Sequence, residues 1–225
     1  MNNSQKSLFK KTLICSAGLI MFGFGIYLSI QANIGIQPWD VFCLSLSERL
    51  GIIYGNASIA ISVILIIVDI LMGEKIGLGT ILDAVIVGKT VDFFNWLGLV
   101  PKIEGNALLS VAVLLVSFAI EGFSQYYYLK AGLSAGPRDS FQITLGRRMP
   151  VIPIGVVNIF ILLAVLLIGI ALGGLGYVGI GTAIAPFGLG ILQQISFNIM
   201  KFDPKTVTHQ GLLESVKIIF RKENI

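Results

Sequence analysis

The sequence predicts an all-α, polytopic membrane fold: six transmembrane helices forming two inverted-topology repeats, each with one short extra helix. Three observations carry this: the composition, the spacing of the apolar runs and an internal repeat. The chain has 225 residues, of which 55% are hydrophobic and only 12% charged, with a mean hydropathy of +0.88. Soluble domains carry roughly 25% charged residues, so this chain has too little charge to cover a globule in water. It has enough to finish a bundle whose sides face hydrocarbon, where one span needs about 20 apolar residues. The 26 glycines agree, because membrane helices use glycine for close packing.

Apolar runs place the spans near 12–31, 55–73, 78–98, 107–129, 153–173 and 180–200. Lys6, Lys10 and Lys11 ahead of the first run imitate a secretion signal. That run belongs to the repeat, so it is expected to remain as a span. Two further stretches, 38–50 and 137–148, are too short to cross, since 13 helical residues rise about 20 Å. Each begins with proline and an early aspartate and ends in arginine, the order that suits a helix dipole. They are read as short helices, either re-entrant or lying on the surface. After Asp203-Pro204, Leu212, Leu213, Val216, Ile219 and Phe220 share one face of an amphipathic tail helix, which suits the inner leaflet. His209, the one histidine, is read as a solvated loop residue.

Lysine and arginine set the orientation. With a cytoplasmic N-terminus, thirteen of them fall in inside segments and two, Arg49 and Lys102, outside, while Lys89 lies within a span. Such a bias predicts both termini in the cytoplasm. Cys15 and Cys43 sit far apart in apolar stretches and offer neither a disulfide framework nor a metal spacing.

A shift of 99 places Tyr27, Ala32, Pro38, Asp40, Phe42, Leu46 and Arg49 over Tyr126, Ala131, Pro137, Asp139, Phe141, Leu145 and Arg148. A shift of 102 places Gly77-Leu78-Gly79-Thr80 over Gly179-Ile180-Gly181-Thr182 and Gly88 over Gly190. The halves are 1–101 and 102–202, with the tail at 203–225. Three spans per half is an odd number, so the second half starts from the opposite side of the bilayer. Inverted repeats of this kind are characteristic of transporters, with the site between the halves.

With Pro38-Trp39-Asp40, Gly136-Pro137-Arg138-Asp139 and the two Gly-x-Gly-Thr segments in place, the chain resembles the YczE/YyaS/YitT-type bacterial membrane proteins. The resemblance covers 12–200. It implies a multi-pass protein of the bacterial cytoplasmic membrane. Gln37 stands where the family pattern has glycine, and Asp83 where asparagine is usual.

Intramembrane charge points to function, because each buried ion costs roughly 3 kcal/mol near the centre of a span. Lys89 and Glu121 fall near mid-span and at matched depth, so they could pair, with Asp92 sharing the lysine. Asp69 and Asp83, nearer the cytoplasmic ends, are read as wet. The residues expected to contribute to a substrate or ion site are Trp39, Asp40, Thr80, Lys89, Asp92, Glu121, Arg138, Asp139 and Thr182. Pro38, Pro137, Gly77, Gly79, Gly179 and Gly181 shape the backbone around them. No phosphate loop, metal-binding motif or nucleophile elbow is present in the sequence. The reading is therefore a non-enzymatic secondary transporter or permease for a small solute or ion, without cofactor or metal. Its expected partner is the lipid bilayer, with no nucleic acid, and a homodimer is compatible with six short spans. The rival from another class is a scaffold or accessory factor that holds a partner protein at the inner leaflet through the basic tail and Arg147-Arg148.

Overall fold

The computed structural model describes residues 3–203, 207 and 210–220, and every element among them is helical. In chain order these are α1 (Asn3–Ala32), α2 (Pro38–Leu50), α3 (Tyr54–Leu71), α4 (Leu78–Leu97), α5 (Ala107–Lys130), α6 (Pro137–Arg148), α7 (Ile154–Ala171), α8 (Ile180–Ile199) and α9 (Leu212–Phe220). The helices α1, α3, α5 and α8 are long and apolar enough to cross a membrane on length and composition. α7 carries no charged residue, whereas the 20 residues of α4 include Asp83, Lys89 and Asp92. α1 starts nine residues before the expected span because nothing in Asn3–Lys11 breaks a helix. His209 lies outside the described residues.

The two short helices fall where their ends predicted. Pro38 and Pro137 occupy first-turn positions, where a missing N–H costs nothing. Gly51 stops α2 in the left-handed conformation, with φ of 64°.

α1 and α5 form the central pair. Around them the packing is duplicated. α1 packs on α4 as α5 packs on α8; α2 meets α3 as α6 meets α7; and α3 meets α6 as α7 meets α2. One pairing has no counterpart of similar extent. α3 lies along α4, whereas α7 and α8 stand apart.

Glycines show why. A Cβ on Gly88 would stand 2.9 Å from the Gly55 Cα, and one on Gly55 would stand 2.6 Å from the Gly88 carbonyl oxygen. The α3–α4 seam is closed to backbone contact there. Asp92 reinforces it by accepting the Gly55 N–H at 2.8 Å, and Lys89 donates to Asn56 at 2.7 Å. In the other half, Gly155 and Gly190 meet nothing within 4 Å. Gln194, the repeat partner of Asp92, bonds along its own helix to Asn198.

The tail returns to the body. Gln210 N–H donates to the Gly132 carbonyl at 2.8 Å and Leu212 N–H to Ile76 at 2.9 Å. α9 rests on α1 and leaves Leu213 and Phe220 exposed. Gly174–Tyr177 forms a short 3-10 turn. Its Tyr177 hydroxyl donates to Glu48 of α2, and burial first, then that carboxylate, holds the phenol above its usual range.

Candidate functional site

The N-terminal turns of the two short helices meet inside the protein. Each is preceded by an extended arm, and each arm is pinned by a Gly-x-Gly-Thr segment of the other half. Gly181 N–H donates to the Ile34 carbonyl at 2.7 Å, and Gly79 N–H donates to the Leu133 carbonyl at 2.7 Å. The approach is too close for side chains. A Cβ on Gly181 would strike the Gly35 carbonyl, and one on Gly77 the Leu133 carbonyl. The threonines divide their work. Thr80 donates across to the Ala135 carbonyl at 2.7 Å, while Thr182 stays on its own helix start and accepts the Gly179 N–H at 3.2 Å.

Held this way, α2 and α6 present their first turns to each other. Arg138 of α6 reaches Asp40 of α2, Nη1 to Oδ1, at 3.1 Å, with Asp40 almost wholly buried. The Tyr54 hydroxyl donates to the same Oδ1 at 2.8 Å, and Arg138 Nη2 donates to Cys43 Sγ at 3.2 Å. The guanidinium lies 5.5 Å from the centre of the Trp39 ring, a cation–π contact. Asp139 accepts from the Tyr128 hydroxyl at 2.7 Å. Gln37 donates to Glu121 Oε2 at 2.6 Å.

Two cavities flank this cluster and share Phe22, Arg138 and Asp139. The smaller, about 40 Å³, lies on the α3–α4 side with Ser58, Ser62 and Asp83. The larger, about 180 Å³, lies on the side where α7 and α8 part, with Gln37, Trp39, Gln125, Asn158 and Gln193 on its wall. Trp39 Nε1, Gln125 Oε1 and Asn158 Oδ1 are buried without a hydrogen-bond partner among the described residues. A buried polar atom left unpaired costs on the order of 1–3 kcal/mol. Three such atoms, those of Trp39, Gln125 and Asn158, lie on one cavity wall.

The structure brings together Trp39, Asp40, Glu121, Arg138 and Asp139 from the expected set. It does not bring Lys89 and Asp92 there. The anticipated Lys89–Glu121 pair does not form, because α1 packs against both α4 and α5 and those two helices do not pack on one another. Lys89 is instead half-exposed and 3.5 Å from Asp92, and the pair fastens α4 to α3. Asp69 also differs from expectation. Asp69 is fully buried beside Ser140. Asp83 faces Gly136, where an added Cβ would stand 2.7 Å from its Oδ2. Sequence reasoning missed Tyr54, Tyr128, Gln125 and Asn158. Their signal was a polar group inside an otherwise apolar run, or, for the tyrosines, none beyond the aromatic itself. Gln37 and Asp83, the two departures from the family pattern, both face the site.

Comparison with known proteins follows the same lines. The chain is 33% identical over 131 residues to the uncharacterised membrane protein YczE of Bacillus subtilis (strain 168), covering 57% of this chain and 60% of YczE. It is 29% identical over 195 residues to an uncharacterised protein of Haemophilus influenzae, covering 85% of each. It is 30% identical over 139 residues to YyaS of Bacillus subtilis, covering 60% of this chain and 68% of YyaS. No solved structure matches. Residues 9–198 match the family of unknown function DUF6198. The chain is thus a multi-pass membrane protein that belongs to the DUF6198 family, alongside YczE and YyaS.

Proposed function

We propose that the protein is a secondary transporter or permease, moving a small polar solute between two inverted halves of three spans each. The observation that carries this is the inequality of two equivalent places. The duplicated helix pairings put the cavity behind α3–α4 and the cavity behind α7–α8 in corresponding positions. One is collapsed to about 40 Å³ behind a glycine-sealed seam, and the other is about 180 Å³ behind a parted one. An alternating-access protein needs one side shut while the other is open, and inverted repeats supply two such conformations from one fold.

In this reading α2 and α6 are re-entrant, both termini are cytoplasmic, and α9 lies on the inner leaflet. Arg138 and the Trp39 indole N–H donate to the solute. Gln125 and Asn158 turn their amides to suit it. Arg138, partly buried, pairs with Asp40 and shares a cavity with Asp83 and Asp139, while Glu121 is tied to Gln37 on the wall of the neighbouring cavity, so four carboxyl groups gather around one cation. That excess suits a proton or sodium ion travelling with the solute, since unbalanced buried charge is costly. A gradient then supplies the driving energy.

A thermal-stability screen of purified protein against metabolites and ions tests the reading. A solute at 100 times its dissociation constant adds about 2.7 kcal/mol to the folded state. The expected result is a stabilising polar solute whose effect disappears in Asp139→Asn. A blank from well-folded protein across the panel contradicts it.

A further inference from the structure

The polar cavity on the α7–α8 side carries charges of both signs. Arg138 and Asp139 are successive residues in the first turn of α6, and both line it. Neither is used up by contacts within the protein. Arg138 spends one N–H on Asp40 and one on Cys43, and its side chain is still 19% exposed. Asp139 accepts from Tyr128 through Oδ2, which leaves Oδ1 without a hydrogen bond among the described residues. The Trp39 ring lies beside the guanidinium, and its buried Nε1 has no partner among those residues. The N-terminal turns of α2 and α6 meet at the same place, and their dipoles favour a negative group there. One part of the wall thus offers donors, and the neighbouring part an acceptor.

We propose that the solute is a small zwitterion of the amino-acid class, with its carboxylate on Arg138 and the Trp39 N–H and its ammonium on Asp139. This rests on the transport reading and names its substrate. A simple anion would join a site where carboxyl groups already outnumber the cation, and like charges repel more strongly where water is excluded. A simple cation would face the guanidinium and the indole N–H with nothing to accept from them. A zwitterion answers both parts of the wall and brings no net charge into the bilayer interior. Size narrows the class. The cavity holds about 180 Å³, the share of about six water molecules in the liquid, which fits amino acids from glycine to leucine. Leu162, Ala185 and Leu189 on its wall suit a short aliphatic side chain.

Sets of probes that share a carbon skeleton separate the charges: glycine, acetate and glycinamide; alanine, propionate and alaninamide; leucine, 4-methylpentanoate and leucinamide. The unfolding midpoint of the detergent-purified full chain is measured against each probe at neutral pH. The expected result is saturable stabilisation by the zwitterion of at least one set. Its acid and its amide should need concentrations at least about 30-fold higher, the loss that follows when one partner of a buried charge pair is removed. Asp139→Asn, whose own unfolding midpoint shows that it is folded, should lose the preference for the zwitterion. An acid or an amide that matches its zwitterion overturns the proposal, since one of the two charges is then not read. Retention of the preference in folded Asp139→Asn also overturns it, by placing the recognition elsewhere. Stabilisation by an uncharged polar solute and by none of these probes sinks the zwitterion and leaves the transport reading standing. A blank across all polar solutes in folded protein sinks both.

Discussion

Replacing Arg138 with methionine is expected to lower the unfolding free energy by about 3–5 kcal/mol, because it strands the buried Asp40 carboxylate. Asp40 is 1% exposed, and one of its oxygens already lacks a partner among the described residues. The Tyr54 hydroxyl alone cannot replace a guanidinium. The companion Asp40→Asn, combined with Arg138→Met, removes the charge as well as its counter-ion and should restore most of the lost stability. The double variant should still fail to bind solute, since the donor in the cavity is gone. Denaturant or thermal unfolding of the detergent-solubilised single and double variants measures the first effect, and solute-induced stabilisation measures the second. If Arg138→Met were as stable as the parent, the pair would be a surface-like contact and not the keystone between α2 and α6.

Gly181→Val is expected to cost about 1–3 kcal/mol, the range for overpacking, and to dislodge the arm before α2. The backbone crossing there leaves no alternative. Gly35 holds φ of 101°, a conformation that disfavours side chains, and its own Cβ would stand 2.6 Å from the Gly179 nitrogen. Both strands of the crossing therefore need glycine. The contrast is Gly190→Ala, which meets open space and should change stability by less than about 0.5 kcal/mol. Folded yield and unfolding midpoint distinguish the two. Equal losses at 181 and 190 would mean that the arm is held by something other than this close approach.

Much of the fold was legible because it depends on local chemistry. The short helices Pro38–Leu50 and Pro137–Arg148 begin and end at the residues that their proline starts and arginine ends dictated. The apolar runs located the long helices to within a few residues, apart from the start of α1. The two Gly-x-Gly-Thr segments announced close backbone approach, and the structure shows what they approach: the arm of the opposite half. The partners of the charged residues were not legible. Lys89 and Glu121 share a depth, but depth along a span says nothing about which side of a helix faces which neighbour, and α1 keeps them apart. Asp92 reads as a candidate ion ligand in the sequence, yet it caps the first turn of α3, a contact that only the closed α3–α4 seam creates. Gln125 and Asn158 showed in the sequence only as polar groups inside apolar runs. They acquire meaning when α7 parts from α8 and exposes one cavity to both.

The inequality of the two seams is the centre of this account, and cross-linking across the open one tests it most directly. Gly155 is the second residue of α7 as Gly55 is of α3, and Gly190 is the repeat partner of Gly88; the backbones of Gly55 and Gly88 touch, so cysteines at 155 and 190 probe the matching seam. A disulfide needs Cα atoms within about 7 Å. Alternation of the halves predicts that the 155–190 pair cross-links in membranes, and that the stabilising solute changes the yield. Oxidised protein should then stop transporting and recover on reduction. Folded, active protein in which this pair never cross-links, with or without solute, would show that α7 and α8 stay apart and that the two halves do not exchange roles.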